Sequence, residues 1–175
     1  MFFMLYFLVM ITLYNAVSKD GYINEVNGSE DFVPYEVWHE FLELCTAYDV
    51  FAMGKNSYQA IQEYEPEERR LFESLPIKKV VISRDGNFTP QKGYEIIRSV
   101  SELPKLGKNI LLSSGPSLND VFLKEKLIDK IILNVIPVKV VSGLKQFSSK
   151  EPNMILKSEK NTQEGRVLCS YDVVY

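Results

Sequence analysis

Three short polar turns carry the residue types that hold anions. Gly54-Lys55-Asn56-Ser57 follows the apolar run "DVFAM" and leads into helical spacing. A glycine there lets backbone approach a ligand, the first N–H groups of a helix point at it, and Lys55 and Ser57 add a charge and a hydroxyl. Ser83-Arg84 closes "KKVVI", where an arginine can clamp a phosphate through two parallel N–H bonds. Ser114-Gly115-Pro116-Ser117 joins "NILLS" to another helical pattern. That is the strand-to-helix arrangement that cradles phosphates, with neither the Gly-x-Gly-x-x-Gly fingerprint nor the Gly-Lys-Ser/Thr of a P-loop. A fourth turn, Ser18-Lys19-Asp20-Gly21, brings a carboxylate. Taken singly, each turn is as well explained by a helix cap or a surface bend. Together they form a site only if the fold sets them along one edge.

The rest of the chain has to supply that edge. Its 175 residues, 46% hydrophobic and 25% charged, suit one globular domain with a sizeable core. A net charge of -3 gives no global reason to expect nucleic acid, so an anion site must be local. Cys45 and Cys169 lie far apart and form no Cys-x-x-Cys. They fit buried apolar positions in a reducing, cytoplasmic compartment, and no metal site is expected. Residues 1–18 carry no charge, and that length approaches a membrane span. They lack a positive n-region and a flanking Lys/Arg cluster, however, and their aromatic and β-branched content suits a strand buried on both faces. A strand is expected, with no membrane partner and with residues 1–9 as an upstream-start extension of a single domain over residues 1–175.

Beyond that run, strands and helices alternate. Helical spacing covers residues 34–48, with Trp38, Phe41, Leu42 and Cys45 on one face; Glu36, Glu40, Glu43 and His39 fall opposite and are expected to be solvated. "NSYQAIQEY", "PEERRLFESL" and "PSLNDVFLKEKL" read as helices, and Ser99 with Glu102 forms a capping-box pattern. "KKVVIS", "YEIIR", "NILLS" and "DKIILNVIPV" read as strands, and the tail as a hairpin turning near Glu164-Gly165. Alternation of this kind argues for an α/β fold: a central, mostly parallel mixed sheet with helices on both faces and a C-terminal antiparallel hairpin. In such sheets ligands bind beyond the carboxyl ends of the strands, which is where the four turns belong.

In order and spacing, "AVSKDGYI", "YDVFAMGKNSYQAI", "VVISR", "ILLSSGPSL", "KLIDKIILNVIPV" and "GLKQF" resemble the dihydrofolate reductase-like superfamily. The likeness is to the reductase domain at the C-terminus of the riboflavin-biosynthesis protein RibD. It runs from about Met10 to the end and implies the dihydrofolate reductase-like three-layer fold, an NADPH-dependent reductase and a homodimer. By matching position it implies that Gly54, Lys55 and Ser57 contact cofactor phosphates and that Ser83 and Arg84 hold the adenosine 2′-phosphate. Ser114, Gly115, Ser117 and Leu118 would line the pyrophosphate, with Ala16 near the nicotinamide. Ser18, Gly21, Val37 and Ser113 would meet a small-molecule substrate, and Asp20 or water would supply a proton. The substrate implied is a ribosylamino-pyrimidine phosphate, with a dihydropteridine second; a non-catalytic NADP-binding paralogue is the rival.

The chain also departs from the pattern. Ser114-Gly115 stands where the family has Gly-Gly, and Val141-Ser142-Gly143 where it has Gly-x-Gly. The Pro-x-Leu-Thr-Val-Arg segment that helps hold the substrate phosphate is replaced by "EYEPEERRLFESLP", leaving Arg69 and Arg70 as the nearest cations in sequence.

Overall fold

The computed structural model describes residues 8–175. Its first strand, β1 (Met10–Ser18), is flanked by strands on both sides and by helices on both faces. That double covering explains why its sequence is uncharged and mostly apolar throughout instead of alternating. Ile11 and Leu13 enter one core, while Tyr14 enters the other. The strand expected over residues 1–18 therefore begins at Met10; Leu8 is exposed, and the part of the expectation on residues 1–7 lies outside the described residues.

The chain continues through β2 (Tyr22–Glu25), α1 (Tyr35–Cys45), β3 (Val50–Gly54), α2 (Lys55–Gln62), α3 (Pro66–Glu73), β4 (Lys78–Ile82) and β5 (Tyr94–Ile97). A 3₁₀ turn (Val100–Lys105) follows, capped reciprocally by Ser99 and Glu102 as their spacing predicts. Then come β6 (Asn109–Ser113), α4 (Pro116–Lys124), β7 (Lys130–Ile136), β8 (Gly143–Lys145), β9 (Asn153–Asn161) and β10 (Val167–Val174). Eight strands form one sheet in the order β5-β4-β3-β6-β1-β7-β10-β9, parallel from β5 to β7 and antiparallel through the terminal hairpin. This is the dihydrofolate reductase-like three-layer arrangement.

Each face of the sheet carries its own core. On one, Phe41, Leu42 and Cys45 of α1, Tyr58 and Ile61 of α2 and Phe72 of α3 pack on Phe51, Met53 and Val81. On the other, Phe122 of α4 and Val100 and Leu103 of the 3₁₀ turn cover Val50, Ala52, Ile110 and Leu112. Fully burying a side chain of this size stabilises the fold by about 1.5–3 kcal/mol. No helix among the described residues is long and apolar enough to cross a membrane.

A two-stranded ribbon, β2 with β8, lies outside the main sheet and is not apparent from the sequence pattern. Its backbones meet so closely at Gly143 that a Cβ there would sit 1.9 Å from the Asn24 carbonyl oxygen. Two residues earlier, Val141 holds a φ of 73°, a left-handed conformation that a β-branched residue rarely adopts.

Candidate functional site

The strand order turns four scattered motifs into one row. β4, β3, β6 and β1 are consecutive parallel neighbours, so the turns at 83–86, 54–57, 113–117 and 18–21 line the same carboxyl edge. At the usual inter-strand spacing the row spans about 14 Å. Between β3 and β6 the chain also changes face: α2 packs into the core of α1, and α4 into the opposite one. Such a crevice at a topological switch point is where open α/β sheets take ligands. Gly54 comes close to the first turn of α4 there: a Cβ on it would lie 3.4 Å from Leu118 Cδ2. Neither α2 nor α4 has its first N–H groups satisfied by a capping side chain, which leaves donors for an anion.

The individual side chains are placed unequally. Arg84 is exposed and forms no ion pair among the described residues. Its loop is tied together by hydrogen bonds nonetheless. Arg98 donates to the carbonyls of Ser83 (3.0 Å), Asp85 and Phe88 (3.0 Å), and the Ser83 hydroxyl accepts from Asp85 N–H. Lys55 is engaged: its Nζ lies 2.7 Å from Asp85 Oδ2 and over the Phe88 ring. That contact, first through its hydrogen bond, holds the Asp85 carboxyl below its usual range. Ser57 and Leu118 are half-buried, and Ser117 is exposed. The Ser114 side chain turns inward, donating to Asn119 Oδ1 at 2.5 Å, while Asn119 Nδ2 returns to the Ser114 carbonyl and to that of Gln146. The serine is thus accommodated beneath the turn. Gly115 has open space where a Cβ would stand, and every peptide bond among the described residues is trans.

Asp20 is a junction. Its Oδ1 accepts from Ser18 Oγ at 2.6 Å and from Val140 N–H at 3.1 Å, and its Oδ2 from Val141 N–H at 2.9 Å. These donors, the serine hydroxyl foremost, hold its carboxyl at about 2. It is therefore ionised at neutral pH. Gly21 takes the positive φ of 86° that its turn requires. Val37 is buried, and Ser113 and Ala16 are half-buried.

Beside α1 the sheet opens into a cleft of about 680 Å³, lined among others by Tyr14, Glu40, Glu43, Asn134, Lys160 and Thr162. Asn134 is the register partner of Ala16, so the cleft adjoins the position expected to face a nicotinamide. Glu40, expected to be solvated, is 40% exposed and is also held in an ion pair. Both Arg166 terminal nitrogens grip its carboxylate, at 2.6 and 2.9 Å, and Asn134 Nδ2 adds a third donor at 3.2 Å. Arg166 is only 1% exposed, and its hydrogen bonds keep the Glu40 carboxyl below its ordinary range. The helical wheel missed this because the partner lies 126 residues away. Tyr14, Asn134 and Lys160 also escaped the sequence reading; an asparagine inside the apolar run "KIILNVI" was the available signal.

The fold, a mostly parallel α/β sheet with a row of turns along its carboxyl edge, is shared with known proteins. A Shewanella sp. PV-4 chain assigned to riboflavin biosynthesis superposes with a TM-score of 0.78 at 20% identity, covering 95% of this chain and 100% of that one. A pyrimidine reductase-like protein of Corynebacterium diphtheriae gives 0.70 at 14%, covering 95% and 92%. Acinetobacter baumannii RibD gives 0.74 at 14%, with 97% of this chain matching 59% of the longer protein. In sequence, the chain is 28% identical over 154 residues to the uncharacterized protein YyaP of Bacillus subtilis (strain 168), covering 81% of this chain and 82% of that protein. It is 27% identical over 165 residues to YwjB of the same organism, covering 85% and 89%. No protein-family model matches the chain.

Proposed function

We propose that this protein is an NADPH-dependent reductase acting on a small nitrogen heterocycle, and that it works in the cytoplasm as a homodimer. The observation that carries the reading is the row of four turns, with two uncapped helix N-termini meeting at the switch point. Those N-termini, with Gly54, Ser57, Ser114, Gly115, Ser117 and Leu118, would hold the pyrophosphate. Ser83 and Arg84 would take the 2′-phosphate, Arg84 being exposed on a loop that Arg98 keeps in shape. The bound dinucleotide would supply hydride beside Ala16. Ser18, Gly21, Val37 and Ser113 would border the substrate, and this chain's own contribution is to orient it. Asp20, ionised and tied to the 140–141 backbone, orders the mouth, and water supplies the proton. The riboflavin-pathway ribosylamino-pyrimidine and the dihydropteridine are the substrates to test.

A second reading, a non-catalytic NADP-binding protein, draws support from Lys55, whose charge is already spent on Asp85. Titration with NADPH and NADH, followed through Trp38 fluorescence, tests the cofactor and turnover separates the readings. Arg84→Ala should weaken NADPH binding about 10- to 100-fold, the loss of a charge-assisted hydrogen bond worth about 1.5–3 kcal/mol, and leave NADH unchanged. Failure of both dinucleotides to bind would end the reductase reading.

A further inference from the structure

We propose that the cleft beside α1 selects against phosphorylated substrates, and that Glu43 together with the closed Glu40–Arg166 pair sets this choice. The inference rests on the reductase reading in extending the substrate from beside Ala16 into this adjoining cleft, which Ser18, Gly21, Val37 and Ser113 do not line.

A phosphate dianion is held by free guanidinium groups, lysines, helix N-termini or nests of backbone N–H. The cleft offers little of this. Its charged lining residues are Glu40, Glu43 and Lys160. Arg166, whose guanidinium could have served, is not in the lining; it is 1% exposed and both terminal nitrogens are spent on Glu40. Arg69 is occupied on α3, donating to the Gln62 carbonyl at 2.8 Å and facing Glu73, and neither it nor Arg70 reaches the lining. With Glu40 neutralised by Arg166, the remaining charged lining residues are Lys160 and Glu43, one of each sign, so the lining carries no net positive charge.

What the cleft does offer is an acceptor. Asn134 is 1% exposed and its Oδ1 has no hydrogen-bond partner. Its amide orientation is fixed, because Nδ2 donates to Glu40 and a carboxylate only accepts. A buried acceptor of this kind calls for an N–H or O–H from a ligand. The Glu43 carboxylate is a second acceptor on the wall. The chemistry that fits is an uncharged or cationic heterocycle bearing amino or ring N–H groups, its sugar or side chain free of phosphate.

The test uses the full-length protein and calorimetric binding of 5-amino-6-ribosylaminouracil with and without its 5-phosphate, at low and high salt. Glu43→Gln and Glu43→Lys serve as variants, since Glu43 is exposed and the changes do not touch a core. The unphosphorylated compound should bind the wild type at least 10-fold more tightly. Glu43→Lys should shrink that ratio at least 10-fold in a salt-sensitive way, with Glu43→Gln between. Equal or tighter binding of the phosphate by the wild type, a ratio unmoved by Glu43→Lys, or no binding of either compound would each overturn the inference. NADPH oxidation is measured separately: selectivity without turnover would sink the reductase reading while leaving the cleft's preference standing.

Discussion

Glu40→Ala isolates the energetic role of the one ion pair among the described residues whose cation is withdrawn from water. The substitution leaves the Arg166 guanidinium 1% exposed and strips it of bonds at 2.6 and 2.9 Å. Removing one partner of a fully buried pair costs about 3–5 kcal/mol. The Glu40 side chain is 40% exposed, so water takes over part of its place, and the expected loss is about 2–3 kcal/mol. For a chain of this length that lowers Tm by about 4–12 °C. Urea unfolding followed through Trp38 measures it, since this sole tryptophan stacks on Phe41 and meets Tyr64 edge-on. In Glu40→Ala/Arg166→Met the stranded charge is gone, and at least 1 kcal/mol should return. The pH dependence has a definite sign. Arg166 holds the folded carboxyl below the ordinary 4.5, so the pair's stabilisation is present above that value and is lost as pH falls below it. A Glu40→Ala loss under 0.5 kcal/mol, or a double variant no more stable than the single, would refute the reasoning.

Val141→Gly should stabilise the protein: it relieves a β-branched residue at φ 73°, worth about 1–2 kcal/mol, against about 0.5–1 kcal/mol of added chain entropy. A lower Tm would count against that account. Gly143→Ala should cost at least about 3 kcal/mol, the upper range for overpacking, because the new methyl meets the Asn24 carbonyl oxygen, which is backbone; unchanged urea midpoints would contradict it. Asp20→Asn should flatten the acid limb of the stability curve. The wild-type carboxylate, depressed from 3.8 to about 2, contributes fully above about 4 and loses its contribution as pH falls to about 2, and acid titration of both proteins by circular dichroism checks this.

The sequence displays what local chemistry decides. Alternating strands and helices, the Ser99–Glu102 box and the hairpin turn near Glu164-Gly165 were all legible, because each is specified by neighbours within a few residues. The carboxyl-edge row was legible as well, since strand-then-turn order plus the α/β rule locates it. What escaped depends on distant partners. β2 and β8 are four and three residues long, too short for a periodic signal, and Gly143 alone hinted at their contact. Arg98 gives no sign in sequence that it shapes the Arg84 loop. Lys55 reads as a free cation until Asp85 is folded against it. Glu40 falls on the polar side of its own helix, and a wheel cannot know what another element brings to that side.

The central position of β1 also governs how the chain must come together during synthesis. Its neighbours are β6 and β7, at residues 109–113 and 130–136, so an apolar strand made early waits for partners more than ninety residues downstream. At about 5–20 residues per second that wait lasts roughly 5–20 s. Through that interval the segment "MITLYNAVS" leaves the ribosome with both edges unpaired, so the yield of the folded protein is tied to whatever shields those edges until the middle of the sheet exists.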